Sequence, residues 1–466
     1  MPVKLTIIGA GPGGYVAAIR AAQKGAQVIV VAEGELGGTC LHQGCIPTKT
    51  LIASAEALET VRRAGEFGVE LSGEVRFNLA KIRERKDKVI ATQVKGIHTL
   101  FKSWGVTVIP ARGSLLSPDV VRSVQKDGTT QDIRSDKVII ATGSRPAPFP
   151  DLPFDGTRVL SSDDAVRMTS VPKSLLIIGA GVIGCEFAFL YRSLGSEVTL
   201  VEMMPRVLST EDSEISELIE RELKKAKIKL HAGTGIASVK KSDDGRMHVK
   251  LSAEKDLIVD SLLVSVGRSL NTADLGLEES GVGTGKRGEI LVNERMETGA
   301  PGVYAVGDAT GHRMLAHVAS HQGLVAAENA LGGDARMEYD SVPAGIFTIP
   351  EIGSVGLTEE QALKTGRKVK TGRYPYRGLG KAHAMGAITG MVKVIADEMT
   401  DKVLGVHICG AHATDLVHEA ALAIKLGATA RDIATMVHAH PTLSEAVMEA
   451  ASDVHHTAIH LPRRDR

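Results

Sequence analysis

The chain has 466 residues, of which 43% are hydrophobic, and its 55 basic side chains equal its 55 acidic ones. This length predicts two to four domains with sizeable cores, and the balanced charge excludes a global attraction to nucleic acid or to an anionic membrane. With four cysteines, no leader and no apolar run of membrane-spanning length, the sequence predicts a cytoplasmic protein rather than a secreted disulfide scaffold.

Two segments of the chain repeat one pattern, a βαβ unit of about 30 residues. Residues 3–33 run from a strand, VKLTIIGAG, through a glycine turn and an alanine-rich helix to a second strand, AQVIVVAE. Residues 174–202 do the same between the strands SLLIIGAG and SEVTLVE. Each turn has the spacing GxGxxG, which in this order of elements indicates a dinucleotide site. Two copies predict two dinucleotides, and one natural arrangement is a flavin and a nicotinamide nucleotide between which hydride passes.

The glycines of these turns have separate geometric tasks. Gly9 permits the turn, Gly11 lets the backbone approach a pyrophosphate, and Gly14 lets the helix pack closely. The diphosphate then lies on the helix N-terminus, where free N–H groups point at it. The equivalent residues of the second unit are Gly179, Gly181 and Gly184. For each turn the alternative is that the glycines only permit tight packing of helix on strand.

An acidic residue at the end of the second strand of such a unit hydrogen-bonds the ribose of a bound dinucleotide. In the second unit this residue is Glu202, and two methionines follow it where a 2′-phosphate would need basic side chains. The pattern favours NAD over NADP. Arg206 is the nearest cation, and it keeps the NADP alternative open.

Residues 37–49, GGTCLHQGCIPTK, hold two of the four cysteines, Cys40 and Cys45. A zinc half-site is disfavoured because structural zinc takes four ligands, and His42 is the only other ligand type between the cysteines. In a regular helix residues five apart are separated by about 7.5 Å along the axis, so a disulfide needs a distorted turn, which the nearby glycine and proline permit. A helix starting here would favour a thiolate, and Lys49 would place a cation beside it. The pair is a candidate redox couple, with a structural disulfide as the alternative.

Three further apolar runs end in glycine. Residues 137–146, KVIIATGSRP, and 261–272, SLLVSVGRSLNT, have the form of the last strand of each nucleotide domain. Residues 298–310, TGAPGVYAVGDAT, end a strand in Gly307 and Asp308, which delivers a carboxylate to the carboxyl end of a strand. Asp308 is therefore a candidate ligand contact, with a simple turn former as the alternative.

From residue 343 onward the sequence no longer has the pattern of βαβ units, and no dinucleotide turn occurs. IPEIGSVGL, MVKVIADE and VLGVHICG have the pattern of antiparallel strands, and ATDLVHEAALAIKLG and SEAVMEAASDVHHTAIHL that of amphipathic helices. The segment HAHPTLSE supplies imidazoles, which titrate in the range that thiol–disulfide exchange requires. The residues alone do not choose between His438 and His440.

The motif of residues 37–49, the two GxGxxG turns, TGAPGVYAVGD and HAHPTLSE together resemble the pyridine nucleotide-disulfide oxidoreductase family over nearly the whole chain. The family implies an α/β fold of two Rossmann-like dinucleotide-binding domains, for FAD and NAD, and a C-terminal α+β dimerisation domain. The resemblance divides the chain into an FAD-binding domain (1–148), an NAD-binding domain (149–270), a central domain that completes the FAD site (271–342) and the dimerisation domain (343–466).

The resemblance also implies catalytic roles for single residues. Cys40 exchanges with the substrate, and Cys45, its disulfide partner, lies nearer the flavin. Lys49 lies beside the flavin ring and pairs with Glu186, just after the second glycine turn. No metal is implied.

Cofactor contacts follow from the same resemblance. Asp308 binds the ribityl chain of FAD. Where the family has an acid for the flavin ribose this chain has Ala32, so Glu33, one residue later, is the candidate. His42 and Gln43 depart from the family pattern of Asn and an apolar residue. The other implied FAD contacts are Gly9, Gly11, Gly14, Lys49, Thr142 and Gly143, and those to NAD are Gly179, Gly181, Gly184, Glu202 and Gly267.

Of the two histidines, His440, directly before a proline, matches the family base, and Glu445 matches the carboxylate that orients it. The family places this histidine over the disulfide of the partner subunit, so activity would require a homodimer. The implied reaction is oxidation of dihydrolipoamide on a lipoyl-bearing protein of a 2-oxo acid dehydrogenase or glycine cleavage complex, with reduction of NAD⁺. The alternatives are an NAD(P)H-dependent reductase of another small disulfide and a flavin redox sensor without catalysis.

Overall fold

The computed structural model describes residues 1–253 and 255–463. Residue 254 of the predicted NAD-binding domain and residues 464–466 of the predicted dimerisation domain lie outside this part. The chain forms two compact units. The first comprises Met1–Phe149, Ser161–Ser170 and Gly267–Glu338, and the second comprises Pro150–Leu160, Val171–Val266 and Tyr339–Arg466. The four predicted domains are thus grouped in pairs, and their borders stay a prediction.

The described part of the chain contains 23 strands and 13 α-helices. The strands are β1 (Lys4–Ile8), β2 (Gln27–Val31), β3 (Thr107–Ile109), β4 (Arg112–Ser117), β5 (Val120–Val124), β6 (Thr130–Arg134), β7 (Lys137–Ile140), β8 (Ser144–Pro146), β9 (Val159–Leu160), β10 (Ser174–Ile178), β11 (Glu197–Val201), β12 (Lys229–His231), β13 (Ile236–Lys241), β14 (Met247–Leu251), β15 (Asp256–Val259), β16 (Ser261–Val264), β17 (Arg268–Leu270), β18 (Val303–Ala305), β19 (Ala344–Ile346), β20 (Ile352–Gly356), β21 (Val369–Pro375), β22 (Met391–Asp397) and β23 (Val403–Cys409). The helices are α1 (Pro12–Gln23), α2 (Gly38–His42), α3 (Cys45–Arg62), α4 (Leu79–Ser103), α5 (Ser162–Ala165), α6 (Val182–Ser193), α7 (Ser213–Lys225), α8 (Ala316–Ala330), α9 (Glu359–Lys364), α10 (Gly380–Ala384), α11 (Ala413–Leu426), α12 (Ala430–Thr435) and α13 (Glu445–Asp453). None of the helices in residues 1–253 and 255–463 is long and apolar enough to cross a membrane.

The first unit is built on a sheet of five parallel strands in the order β18-β7-β1-β2-β3. Strand β1 pairs with β2 from Lys4 opposite Gln27 to Ile8 opposite Val31, with α1 as the crossover, so the first predicted βαβ unit is confirmed. The expectation that residues 137–146 supply the last strand is wrong. Strand β18 lies outside β7, because its apolar residues are buried against that neighbour.

Helix α1 packs against α8 through small residues. Ala17, Ala18 and Ala21 of α1 are fully buried. An added Cβ on Gly323 of α8 would lie 2.4 Å from the carbonyl oxygen of Gly13, so no larger residue fits at this crossing. The helix that follows the first glycine turn is therefore fixed on both sides, by the sheet and by α8.

The second unit repeats this arrangement. Its parallel sheet has the order β12-β11-β10-β16-β9, and β10 pairs with β11 from Ser174 opposite Glu197 to Ile178 opposite Val201. The second predicted βαβ unit is confirmed. Strand β16, within the predicted run of residues 261–272, is the last strand of this sheet along the chain, as expected.

The C-terminal part of the second unit is an antiparallel sheet in the order β19-β20-β23-β22-β21, with α11 and α13 packed on it. The predicted strands β20, β22 and β23 and the predicted helix α11 are confirmed. The last predicted helix is shorter than its apolar pattern indicated. It ends at Asp453, and the chain then turns at His456, whose φ of 58° is left-handed.

A cluster of five charges around a buried lysine, here called the Lys393 cluster, joins this sheet to the start of α7. Lys393 is fully buried, and its Nζ lies 2.9 Å from Asp212, 2.7 Å from Glu214 and 2.7 Å from Glu359. Arg373 donates to Glu214 at 2.6 Å. Burial by itself raises the pKa of Glu214, but hydrogen bonds from Arg373 and Lys393 outweigh it and lower the pKa to about 2.

Candidate active site

The first glycine turn joins β1 to α1 in the first unit. An added Cβ on Gly14 would lie 2.0 Å from the oxygen of Gly9, and one on Gly9, whose φ is +106°, would lie 2.3 Å from the oxygen of Ala141. Packing therefore requires both glycines. An added Cβ on Gly11 would approach only the Cα of Gly38, at 4.0 Å. Because packing does not require glycine at position 11, this position fits the approach of a diphosphate to the N-terminus of α1.

The second glycine turn has the same division of tasks. An added Cβ on Gly184 would lie 1.9 Å from the oxygen of Gly179, whereas one on Gly181 would meet nothing within 4 Å. Glu202 follows β11 directly, and its carboxylate accepts the N–H of Ala180 at 2.7 Å and a second backbone N–H, two residues on, at 2.8 Å. These bonds hold the carboxylate beside the turn, where the ribose of NAD fits.

Arg206, the cation that kept NADP open, is engaged elsewhere in the second unit. Its guanidinium forms a bidentate ion pair with Glu360, with distances of 2.8 and 3.0 Å. Met203 and Met204 are exposed directly after Glu202. The surroundings of Glu202 thus fit an unphosphorylated ribose better than one with a 2′-phosphate.

Two polar groups of the first unit lie at the carboxyl ends of neighbouring strands, β7 and β18. Asp308 accepts the hydroxyl of Ser144 at 2.5 Å, and Arg268 donates to the same hydroxyl at 2.6 Å. The hydroxyl of Thr142 is buried and has no hydrogen-bond partner in the part of the chain that the structure describes. A buried hydroxyl in this state at a strand end fits a contact with a bound flavin nucleotide.

The structure does not assign a role to the remaining predicted cofactor contacts. Ala32 has the same register position as Glu202 and is buried, whereas Glu33 is exposed on the next residue. Gly143 has a φ of +70°, and its carbonyl accepts the N–H of a residue just after β17. The structure places Gly267 in the first unit, where it accepts the N–H of residue 147. The roles of these residues stay predictions.

The two cysteines of residues 37–49 lie in two consecutive helices. Cys40 belongs to α2, and Cys45 is the first residue of α3. Gly44, with φ −122° and ψ −110°, interrupts the two helices, so the predicted distortion is present. The cysteines are thiols here, and a hydrogen bond between their side chains, together with burial, raises the pKa of Cys40, which Lys49 lowers to a smaller extent. The arrangement brings the two sulfurs together, and the roles of Cys40, Cys45 and Lys49 stay predictions.

Gly37 and Gly38 position this redox segment, although the sequence analysis did not single them out. The N–H of Gly37 donates to the oxygen of Ala10 in the first glycine turn at 2.8 Å. An added Cβ on Gly38, whose φ is +57°, would lie 2.6 Å from the Cα of Gly11. The doubled glycine before the first cysteine was the signal, since it permits α2 to start against the nucleotide turn.

His42 and Gln43, which depart from the family pattern, attach the redox segment to its surroundings. The Nε2 of His42 lies 2.9 Å from the carbonyl oxygen of Leu36. Oriented to satisfy both neighbours, the amide of Gln43 donates to Asp163 at 3.0 Å and accepts from Arg167 at 2.6 Å. Sequence reasoning missed the last two residues because they lie far along the chain from the cysteines.

His440 and Glu445 form a hydrogen-bonded pair in the second unit. Nδ1 of His440 lies 2.9 Å from Glu445, which also accepts the N–H of Thr442 at 2.9 Å. Burial acts to raise the pKa of Glu445, but the bonds from Thr442 and His440 prevail and lower it. The side chain of His440 is 77% exposed, and no described residue hydrogen-bonds its Nε2. With Nδ1 held by a carboxylate, Nε2 is the nitrogen that can accept a proton.

His438, the competing histidine, is held differently. Its side chain is only 3% exposed, and Nε2 lies 2.9 Å from Glu419. Its Nδ1 lies 3.0 Å from the carbonyl oxygen of Met436. Because both ring nitrogens face acceptors, His438 suits a structural role, and the geometry favours His440 as the base.

Glu186 lies in α6 and is buried, and its Oε1 accepts the N–H of Phe347 at 3.0 Å. Lys49 belongs to the first unit and Glu186 to the second. Their pairing beside a flavin stays a prediction. Among residues 1–253 and 255–463 no group of three side chains is arranged to hold a metal ion.

Comparison with known proteins agrees with this geometry. The family model described as pyridine nucleotide-disulphide oxidoreductase matches residues 3–323, and that described as its dimerisation domain matches residues 342–451. A dihydrolipoyl dehydrogenase of Thermus scotoductus is 43% identical over 99% of both chains. The mitochondrial dihydrolipoyl dehydrogenase of Pisum sativum is 41% identical over 98% of this chain and 92% of its own.

Two solved structures are similar over nearly the whole chain. LpdA from Mycobacterium tuberculosis superposes with a TM-score of 0.90 at 30% identity, covering 96% of this chain and 99% of its own. The HOCl-induced flavoprotein disulfide reductase RclA from Escherichia coli, as a Cu(II) complex, gives 0.86 at 25% identity, covering 97% of this chain and 99% of its own. Both similarities extend through the C-terminal sheet.

Proposed function

Because the chain belongs to the pyridine nucleotide-disulphide oxidoreductase family, we propose that its two cysteines run the reaction of a dihydrolipoyl dehydrogenase. The enzyme oxidises dihydrolipoamide to lipoamide and reduces NAD⁺. The observation that carries the assignment of residues is the contact between the thiols of Cys40 and Cys45, at the start of α3 and against the first glycine turn.

FAD and NAD are the cofactors. The turn around Gly11, the hydroxyl of Thr142 and Asp308 would hold FAD, and the turn around Gly181 together with Glu202 would hold NAD. When bound, FAD would supply the two-electron acceptor for the dithiol and the hydride donor for NAD⁺. Lys49, on α3 four residues after Cys45, would supply a positive charge next to this chemistry.

The chain's own residues carry the exchange of thiol and disulfide. His440 takes the proton of one substrate thiol through Nε2, and the resulting thiolate attacks the sulfur of Cys40 and expels Cys45 as a thiolate. The second substrate thiol then attacks the mixed disulfide and releases lipoamide, and its proton reaches Cys40 through His440, which remains protonated. Glu445 stabilises the imidazolium, and the N-terminus of α3 stabilises the thiolate of Cys45.

The chain carries the dimerisation domain of its family, and we place it in the cytoplasm as a homodimer. His440 would serve the disulfide of the second subunit. A lipoyl-bearing protein of a 2-oxo acid dehydrogenase or glycine cleavage complex is the proposed partner, since the relatives are named dihydrolipoyl dehydrogenases. Nucleic acid and membranes are not proposed as partners, in keeping with the balanced charge.

The FAD-loaded protein tests the proposal directly. We expect fast reduction of NAD⁺ by dihydrolipoamide, with NADP⁺ at least tenfold slower in kcat/KM because Arg206 is held by Glu360. Parallel reactions contain NADH or NADPH with oxidised glutathione. If dihydrolipoamide is inert while another disulfide is reduced, the cysteine chemistry stands and the substrate assignment is wrong.

A further inference from the structure

A second feature of the first unit lies next to the redox segment and has no part in the reaction above. It is a cavity of about 430 Å³ between α2, α4 and the segment that follows α5. The residues that line it are His42, Arg83, Lys86, Asp87, Ile90 and Arg167. Three of these carry a permanent positive charge and one a negative charge.

Arg83 is the strongest indication of what the cavity binds. Within the described chain its side chain has no hydrogen bond and no ion pair, and its Nε is buried without a partner. A guanidinium is always charged, and although Arg83 as a whole is only half-buried, a buried N–H group without an acceptor is destabilising. An anion in the cavity would supply the missing acceptor.

The other cations are fixed in place by the fold. Lys86 is only 5% exposed, and its Nζ donates to the carbonyl of Val166 at 3.0 Å and lies 3.1 Å from Asp87. The carboxylate of Asp87, whose side chain is 63% exposed, pairs with Lys86 and leaves Arg83 uncompensated. Arg167 is held by the amide of Gln43. Cations held in this way lose little freedom when they bind a ligand.

We propose that this cavity is a binding site for a small multivalent oxyanion, such as phosphate. Arginine matches such anions because its planar fork donates two parallel hydrogen bonds, and Lys86 and Arg167 add charge from two further sides. The site would be attached to the redox segment through His42, two residues after Cys40 in α2. The inference goes beyond the proposed function and does not depend on the identity of the disulfide substrate.

Calorimetric titration of the FAD-loaded protein with inorganic phosphate, at constant ionic strength with chloride as the balancing anion, tests the site. We expect saturable binding by the native chain. Arg83→Gln should weaken it by about tenfold, the loss expected when one charge-assisted contact is removed. Lys88→Gln is the matched control, because it removes the same charge from an exposed position of α4 outside the cavity.

Thermal unfolding gives a second readout that separates binding from folding. Without phosphate, Arg83→Gln should unfold at the native temperature or above it, since a buried N–H group without an acceptor has been removed. Phosphate should raise the unfolding temperature of the native chain and of Lys88→Gln, and at the same concentration it should raise that of Arg83→Gln by less. Absence of saturable binding, or equal weakening by both substitutions, overturns the proposal.

Discussion

The two histidines of HAHPTLSE are two positions apart in sequence, and the fold gives them opposite surroundings. His440 is exposed and fixed by Glu445, whereas His438 is buried between two acceptors. The segment HAHPTLSE could be recognised from the sequence because its residues are contiguous. The choice between His438 and His440 as the base depended on the family pattern. Burial of His438 depends on Glu419, 19 residues earlier, and no spacing rule predicts that contact.

A pair of substitutions separates the roles of these histidines. His440→Gln should lower kcat for dihydrolipoamide by about 10²–10⁴-fold, the usual contribution of a general base. Its unfolding temperature should stay unchanged because the side chain is exposed. Reduction of bound FAD by NADH requires no proton transfer from a dithiol, and it should also stay unchanged.

His438→Gln is the comparison for that experiment. It should lower the free energy of unfolding by about 1–3 kcal/mol, since Glu419 would lose its buried partner. Its kcat should stay within a few-fold of the native value. Stopped-flow kinetics and denaturant unfolding measure the two quantities, and equal losses of kcat in both variants would contradict the assignment of His440.

At the scale of elements, the break between α2 and α3 organises the redox segment. Gln43 and Gly44 separate the two helices, so Cys45 lies at the N-terminus of α3. The sequence predicted a distorted turn here because the cysteines are five positions apart. It did not predict the contact of Gly38 with the nucleotide turn, which arises only when α2 packs on the first βαβ unit.

Gly38→Ala should disturb the redox segment and the FAD site together. A left-handed residue with a Cβ costs about 1–2 kcal/mol, and the added atom would also lie 2.6 Å from the Cα of Gly11. We expect a lower unfolding temperature and faster loss of FAD on dialysis. Gly34→Ala is the matched control, because Gly34 has no atom within 4 Å of an added Cβ and no positive φ. If the two variants retain FAD equally, the contact between Gly38 and Gly11 does not determine how tightly FAD is held.

At the scale of the whole molecule, the motifs predicted the fold class because each motif belongs to one supersecondary unit. Both βαβ units and the antiparallel C-terminal sheet are where the patterns placed them. Pairings across long stretches of chain were not predictable in this way. Strand β18 joins β7 from more than 160 positions further along, and Lys393 meets Asp212 across 181 positions. Such contacts depend on the assembled core rather than on local pattern.

The proposed homodimer predicts complementation between two inactive variants. If His440 serves the second subunit, a mixed dimer of Cys45→Ser and His440→Gln chains contains one intact site, with the cysteine from one chain and the histidine from the other. Co-refolding equal amounts should restore about a quarter of the native activity, since half of the dimers are mixed and each has one working site. Activity that stays near zero, with mixed dimers present in native mass spectrometry, would argue for a site within one chain.

The Lys393 cluster limits how this chain can exchange parts with its relatives during evolution. Asp212 and Glu214 belong to the region matched by the first family model, and the remaining charges belong to the dimerisation domain. A recombination crossover between the two regions combines Asp212 and Glu214 of one parent with the three other charges of the second parent. Any mismatch leaves a charge stranded at a fully buried lysine. The two regions are therefore expected to be inherited as one block, or to change at these positions in step.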